Sequence, residues 1–131
     1  MPLLRYDELD VLECLGALPE PLYDDYEDIG ATYRTEREGL VLTLTFWRYE
    51  GRVHVVLEQF GNAEPLVELM LFVRDRVTRR SESYRDGRWR DWLEFSQCIV
   101  TGNQYPGPSD NEPGRVTVEI SAHPKIGIRF A

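Results

Sequence analysis

Apolar side chains recur at every second position from residue 40 onward, which is the period of a β-strand with one buried face. The first alternating run ends before Glu50-Gly51, and a second run follows this dipeptide directly. A two-residue loop there predicts the cross-strand pairs Phe46–Val55, Leu44–Leu57 and Arg48–Val53. In this register one apolar face meets the other, and a shift by one residue would separate them. The pattern therefore predicts a β-hairpin.

A second hairpin is predicted at Asp86-Gly87, a dipeptide typical of tight type I′ turns. A two-residue loop at this dipeptide predicts the cross-strand pairs Tyr84–Trp89, Arg79–Glu94, Arg80–Leu93 and Thr78–Phe95. One of these pairs is aromatic and another joins opposite charges, and both kinds of pair stabilise neighbouring strands. Two further strands are predicted near the C-terminus, at residues 116–120 and 126–130.

The N-terminal region predicts a short helix over residues 7–15. Asp7 is a suitable N-terminal cap, and Gly16 followed by Pro19 ends the helix. Its apolar side chains are Leu9, Leu12 and Leu15, with Val11 beside them.

Residues 66–77 fit either a buried strand or a helix that begins at Pro65. The neighbouring strands and short connections favour the strand.

These elements predict a mostly β protein of the α+β kind, with about seven or eight antiparallel strands and a short N-terminal helix. The sheet is expected to form either a β-sandwich or a strongly curved, barrel-like sheet. We expect a single domain over residues 1–131. In it, an acidic helix and a Pro-flanked segment (1–30) precede an antiparallel β body (31–131). Residues 102–114 are rich in Pro, Gly and Asn and are predicted to be a long loop.

Charge is unevenly distributed along the 131 residues, whose net charge is −8. Residues 1–30 contain nine acidic side chains against Arg5 alone, so residues 31–131 are neutral in sum. This acidity disfavours nucleic acid and membrane surfaces as partners, because both attract clustered positive charge. Arginines are frequent over residues 74–90, but alternating acidic residues there predict solvated strands. The acidic N-terminus does not resemble a signal peptide, and we expect a cytoplasmic protein.

No pattern of catalytic or cofactor-binding residues stands out in the sequence. Cys14 and Cys98 are far apart, lack the context of a nucleophile, and are expected to be buried and reduced. The two histidines, His54 and His123, add no metal-ligand spacing. We therefore predict no cofactor and no metal site, and the absence of a catalytic pattern favours a protein without enzymatic activity.

The strongest candidate for function is an acidic segment that also carries two tyrosines. Tyrosine supplies contact area at low entropic cost, and clustered acids attract a basic partner. We therefore predict a protein-binding module that engages a basic protein partner, for example a small acidic inhibitor of the bacterial toxin-immunity type. The predicted partner-binding residues are Tyr23, Asp24, Asp25, Tyr26, Glu27 and Asp28.

An alternative function is a small-molecule-binding or enzymatic domain with a barrel-like sheet. The first hairpin is predicted to place Trp47, Tyr49 and His54 on the face opposite its apolar one. Were that face covered, these side chains would line a ligand pocket. A homo-oligomer is also compatible with the sequence, because an open sheet has unpaired edge strands.

Overall fold

The computed structural model describes residues 4–21, 30–102 and 115–131, which form one antiparallel sheet and one α-helix, α1 (Glu8–Leu15). The strands are β1 (Glu20–Pro21), β2 (Gly30–Arg37), β3 (Leu40–Trp47), β4 (Arg52–Gln59), β5 (Val67–Val73), β6 (Val77–Ser83), β7 (Trp89–Thr101), β8 (Val116–His123) and β9 (Gly127–Phe130). They pair in the order β1-β2-β3-β4-β5-β7-β8-β9, and β6 pairs with β7. The sheet is not closed. The predicted mostly β fold with an N-terminal helix is confirmed, as one curved sheet of nine strands and not as a two-sheet sandwich.

The helix begins and ends where the sequence predicts. The Asp7 carboxylate accepts a hydrogen bond from the Leu9 N–H at 2.8 Å, and Gly16 ends the helix in the left-handed conformation at φ 68°. Val11, Cys14 and Leu15 are buried as expected from the sequence, whereas Leu9, which was predicted on the same apolar face, is 58% exposed. Within the described ranges, no helix has the length and apolar character needed to cross a membrane.

The ambiguous segment 66–77 is a strand, as favoured from the sequence. β5 covers Val67–Val73 and lies between β4 and the C-terminal part of β7. Val77 does not extend β5, because the chain turns at residues 74–76 and Val77 begins β6. Apolar side chains on both faces of β5 fit its position in the interior of the sheet.

The first predicted hairpin is present, but its register differs by two residues. Phe46 lies opposite Val53, and Leu44 lies opposite Val55 instead of Leu57. The loop has four residues, in which a 3-10 turn (Arg48–Glu50) is followed by a left-handed glycine at φ 65°. The predicted two-residue loop was wrong because this glycine closes a longer loop. A shift of two residues preserves the face of every side chain, so the predicted apolar face is correct.

The second hairpin differs from the prediction by one residue. Ser83 lies opposite Trp89, and the Tyr84 N–H donates to the Arg88 carbonyl at 2.7 Å. Three residues form the loop, and Gly87 occupies its left-handed position at φ 88°. The predicted pairs of this hairpin are therefore wrong. The observed pairs are Val77–Phe95, Thr78–Glu94, Arg79–Leu93 and Arg80–Trp92.

A β-bulge divides β7 into two parts with different neighbours. Phe95 lies opposite Val118, and Cys98 lies opposite Val116, so one extra residue is inserted between them in β7. Within this bulge, Gln97 has a positive φ of 51°. The insertion allows Phe95 and Cys98 to face the same core although an odd number of positions separates them. β6 pairs with β7 before the bulge, and β5 pairs with it after the bulge.

The sheet is strongly curved around its apolar inner face. The rings of Phe46 on β3 and Phe95 on β7 have centroids only 6.2 Å apart. Three strand spacings separate β3 from β7, which in a flat sheet is a distance of about 14 Å. The helix contacts β2 near one end of the strand order and β8 near the other, and it also contacts β6 and β7. α1 therefore covers the opening between the two ends of the curved sheet.

A buried ion pair joins the helix to the sheet at this opening. The Asp91 side chain is 1% exposed and accepts hydrogen bonds from Arg79 Nη2 at 2.7 Å and from Arg79 Nε at 3.0 Å. Arg79 also contacts the Glu13 carboxylate on α1. Hydrogen bonding to Asp91 is the main cause that raises the pKa of the Arg79 guanidinium. Arg79 reaches Asp91 because the observed register places both side chains on the inner face of the sheet.

We expect Arg79→Met to destabilise the protein by about 3–5 kcal/mol, because it leaves the buried Asp91 carboxylate without its cationic partner. The measurement is urea unfolding followed by circular dichroism, with each variant and the unaltered protein compared at one pH. The matched control is Arg80→Met at the next position, where the side chain is 55% exposed and contacts Glu94 at 3.7 Å. This control should lose less than about 1 kcal/mol. Equal losses in the two variants would contradict the assigned role of the pair.

Candidate functional site

The predicted partner-binding residues, Tyr23, Asp24, Asp25, Tyr26, Glu27 and Asp28, lie outside the described residues. The described chain places both ends of this segment at one edge of the sheet. Pro21 lies opposite Ala31, and Gly30 lies opposite Trp47 at the end of β3. The acidic segment is therefore attached beside the turn that joins β3 to β4.

Two of the three residues predicted to line a ligand pocket lie together on the outer face of the sheet. The rings of Trp47 and His54 have centroids 6.4 Å apart, and His54 Nε2 is 3.0 Å from Glu68 Oε1. His54 lies opposite Thr45 and not opposite Trp47, as a result of the register difference. The third residue, Tyr49, lies in the turn between β3 and β4 and is 52% exposed.

An open groove of about 700 Å³ lies elsewhere, at the rim of the inner face. Its lining includes neither the outer-face residues Trp47 and His54 nor Tyr49 in the turn. The alternative function as a small-molecule-binding domain stays a prediction. The groove is lined by Arg5, Tyr6, Asp7, Glu8, Arg48, Arg76 and Val77.

Tyr6 forms the floor of this groove and connects it to the core. Its ring packs against Phe46 with a centroid distance of 4.6 Å, and the Arg48 guanidinium carbon lies 4.9 Å from the ring centroid. Burial raises the pKa of the Tyr6 hydroxyl, and its hydrogen bond with Arg48 acts in the opposite direction. The Glu8 carboxylate lies 3.5 Å from Arg48. The groove thus combines a rigid aromatic floor with charged walls.

The arginine-rich stretch of residues 74–90 is largely neutralised by local partners. Its side chains on the outer face form ion pairs across the strands, and Arg88 pairs with Asp86 within the loop. Two of these arginines also make cation–π contacts, Arg88 with the Tyr84 ring and Arg90 with the Trp92 ring. Such pairing leaves little net positive field to attract a polyanion.

The two cysteines are both buried in the core. Burial is the main cause that raises the pKa of the Cys14 thiol, and likewise that of the Cys98 thiol, to about 12. The Cys98 thiol also donates a hydrogen bond to the Phe95 carbonyl at 3.2 Å. Among the residues that the structure describes, no three His, Cys, Asp or Glu side chains form a group that could hold a metal ion.

Comparison with known proteins gives one informative match. No protein-family model matches the sequence, and no curated protein matches it. A chain in the structure titled as a contact-dependent growth inhibition toxin–immunity protein complex from Klebsiella pneumoniae 342 is similar, with a TM-score of 0.64 and 16% identity. The match covers 99% of this chain and 96% of that chain. The two chains share a fold.

The groove is the feature that sequence reasoning missed. Arg5, Arg48 and Arg76 are separated by 43 and then by 28 positions along the chain. No local motif joins them, and only the folded sheet brings them to one site. The sequence does show that Arg5 is the single basic residue among residues 1–30. It does not show which residues lie near Arg5 in the folded protein.

We expect both thiols to be unreactive in the folded protein at pH 8, because a pKa of about 12 keeps them protonated and burial blocks access. The measurement is the rate of modification by Ellman's reagent at that pH. The same protein in 6 M guanidinium chloride is the control, where two thiols per chain should react rapidly. Fast modification of the native protein would show that a thiol is exposed and activated.

Proposed function

We propose that this chain is a non-enzymatic protein-binding module, a small inhibitor of the immunity-protein type that engages a basic protein partner. The observation that carries the proposal is the fold shared, over nearly the whole length of both chains, with a chain from a toxin–immunity protein complex. The absence of a catalytic pattern in the sequence agrees with this proposal. Fold similarity by itself does not fix function, so the charge distribution supplies the second argument.

The net charge of −8 belongs entirely to residues 1–30. In the described part of the sheet, by contrast, many acidic side chains have basic partners nearby, including Glu94 with Arg80 and Glu119 with Arg90. Paired charges have weak fields at a distance, whereas an excess of one sign attracts a partner of the other sign over about a Debye length. This contrast supports residues 23–28 as the part that attracts the basic partner.

The surroundings of this segment also suit a protein interface. Gly30, where the segment joins the sheet, lies opposite Trp47, and Tyr49 is half exposed in the adjacent turn. Arg52 packs over the Trp47 ring, with its guanidinium carbon 4.5 Å from the ring centroid. Tyrosine, tryptophan and arginine are the residue types that most often contribute large parts of the binding energy at protein interfaces. We therefore include Trp47 and Tyr49 in the proposed binding surface.

The test begins with affinity capture from a lysate of the source cells at about 50 mM salt and elution at about 500 mM, which spans the range from weak to strong screening. The captured protein is then purified, and its association rate is measured by biolayer interferometry. We expect the quadruple variant Asp24→Asn, Asp25→Asn, Glu27→Gln, Asp28→Asn to associate about tenfold more slowly than the unaltered chain at low salt. Coexpression of the chain should also suppress any toxicity of the captured protein.

The matched control changes four exposed acids elsewhere to glutamine: Glu36, Glu38, Glu64 and Glu82. It alters the net charge by the same amount, so it separates the position of the charge from its total. Equal slowing by the control would mean that overall charge, and not residues 23–28, attracts the partner. Unchanged association in the first variant would overturn the acidic-segment proposal.

A further inference from the structure

The groove at the rim of the inner face holds three arginines that come from three separate chain segments. Backbone hydrogen bonds fix these segments side by side, with the Leu4 N–H donating to the Arg48 carbonyl at 2.7 Å and the Val77 N–H donating to the Arg5 carbonyl at 2.9 Å. The segment that contains Arg5 therefore runs between Arg48 and Arg76. This arrangement requires no conformational change to bring the three side chains to one site.

Two of these arginines lie directly opposite each other, and no carboxylate of the described residues forms a close ion pair with either of them. Arg5 and Arg76 form a parallel bridge, which places like charges on neighbouring backbones, an arrangement that is unfavourable by itself. Arg76 has only a distant contact of 3.9 Å with Asp75, and both arginine side chains are largely exposed. An anion between them would convert this repulsion into a pair of charge-assisted hydrogen bonds.

We propose that this groove binds the carboxylates of an extended acidic segment of the protein partner. The inference rests on the proposed function and adds a second, oppositely charged contact to it. The backbones of Arg48 and Arg76 lie on the two sides of the central segment, Arg48 bonded to Leu4 and Arg76 bridged to Arg5. Successive side chains on one face of an extended peptide are about 7 Å apart, so two carboxylates on one peptide can reach arginines on both sides. Glu8 and Asp7 also line the groove, so its net charge is small and a bound acid must contact the arginines directly.

The groove and Gly30, where the acidic segment joins the sheet, lie at the same end of the sheet. Trp47, which lies opposite Gly30, immediately precedes Arg48 in the chain. A partner that binds the acidic segment therefore passes close to the groove. Opposite charges placed side by side would fix the orientation of the partner, because rotating it would bring like charges together.

The test uses the isolated protein labelled with ¹⁵N, and a blocked peptide of four glutamates as the probe. We expect saturable NMR shifts of the Nε–H groups of Arg5 and Arg76 and of the nearby backbone amides, with a Kd of about 1 mM or weaker, as few exposed ion pairs allow. The double variant Arg5→Gln, Arg76→Gln should bind about 2- to 25-fold more weakly, since each exposed pair contributes up to about fivefold. Its amide spectrum first establishes that it is folded.

A matched double variant, Arg34→Gln with Arg129→Gln, removes two exposed arginines from other parts of the sheet. It should bind the glutamate peptide as the unaltered chain does. The inference is overturned when the four-glutamine peptide shifts the same atoms equally, when the control variant weakens binding as much, or when no saturable shift occurs. Inorganic phosphate that binds the same atoms at least as tightly as the peptide would also overturn it, in favour of a simple anion site.

This peptide measurement needs no partner, so it fails or succeeds separately from the proposed function. Loss of partner binding in the acidic-segment variant, combined with no glutamate binding, would retain the function and reject the groove. Glutamate binding without any salt-sensitive protein partner would reject the proposed function and leave the groove as an acidic-peptide site only, which overturns its assignment to the partner.

Discussion

An antiparallel sheet that curves without closing leaves its apolar inner face accessible to water between its two ends, and in this protein α1 covers that opening. The helix contributes Val11, Cys14 and Leu15 to the same core as Phe46 and Phe95. Eight residues are too few for a stable isolated helix, so the helix depends on the sheet as the sheet depends on it. The contacts of Arg79 with Asp91 and Glu13 connect the two at the buried Asp91 carboxylate, which needs a charged partner. Docking of α1 on the sheet therefore covers the inner face and buries this ion pair at the same time.

The sequence correctly predicted those features of the fold that are determined by residues close together in the chain. The period of two identified the inner face of β3 and β4, and the caps at Asp7 and Gly16 identified the helix, because neighbouring residues determine both. Loop length was predicted less well. Gly51 and Gly87 were each assigned to a two-residue loop, whereas both occupy the left-handed position that closes a longer loop. A glycine shows that positive φ is available but does not show how many residues precede it.

The two register differences had unequal consequences for the reasoning. The shift of two in the first hairpin left every side chain on its predicted face. In the second hairpin, the shift of one places Arg79 opposite Leu93 and not opposite Glu94 as predicted, on the inner face beside Asp91. The bulge at Gln97 could not be predicted either, because it is determined by the change of neighbour from β6 to β5. The groove of Arg5, Arg48 and Arg76 likewise depends on contacts between distant parts of the chain.

The distribution of charge links this fold to its proposed role. The described strands place acidic and basic side chains opposite or near each other, so the electrostatic field of the sheet is weak at a distance. The acid excess of residues 1–30 is then the main source of long-range attraction. Attraction by one acidic segment would bring in any basic protein, and it would not fix how that protein is oriented. On the proposal made above, the exposed Arg5 and Arg76 of the groove would select among basic partners, because only one that also presents carboxylates at the right distance would gain both contacts. On this proposal, attraction and selection would belong to different residues. Neutralising the segment should then alter mainly the rate of association, whereas altering Arg5 and Arg76 should alter mainly the lifetime of the complex.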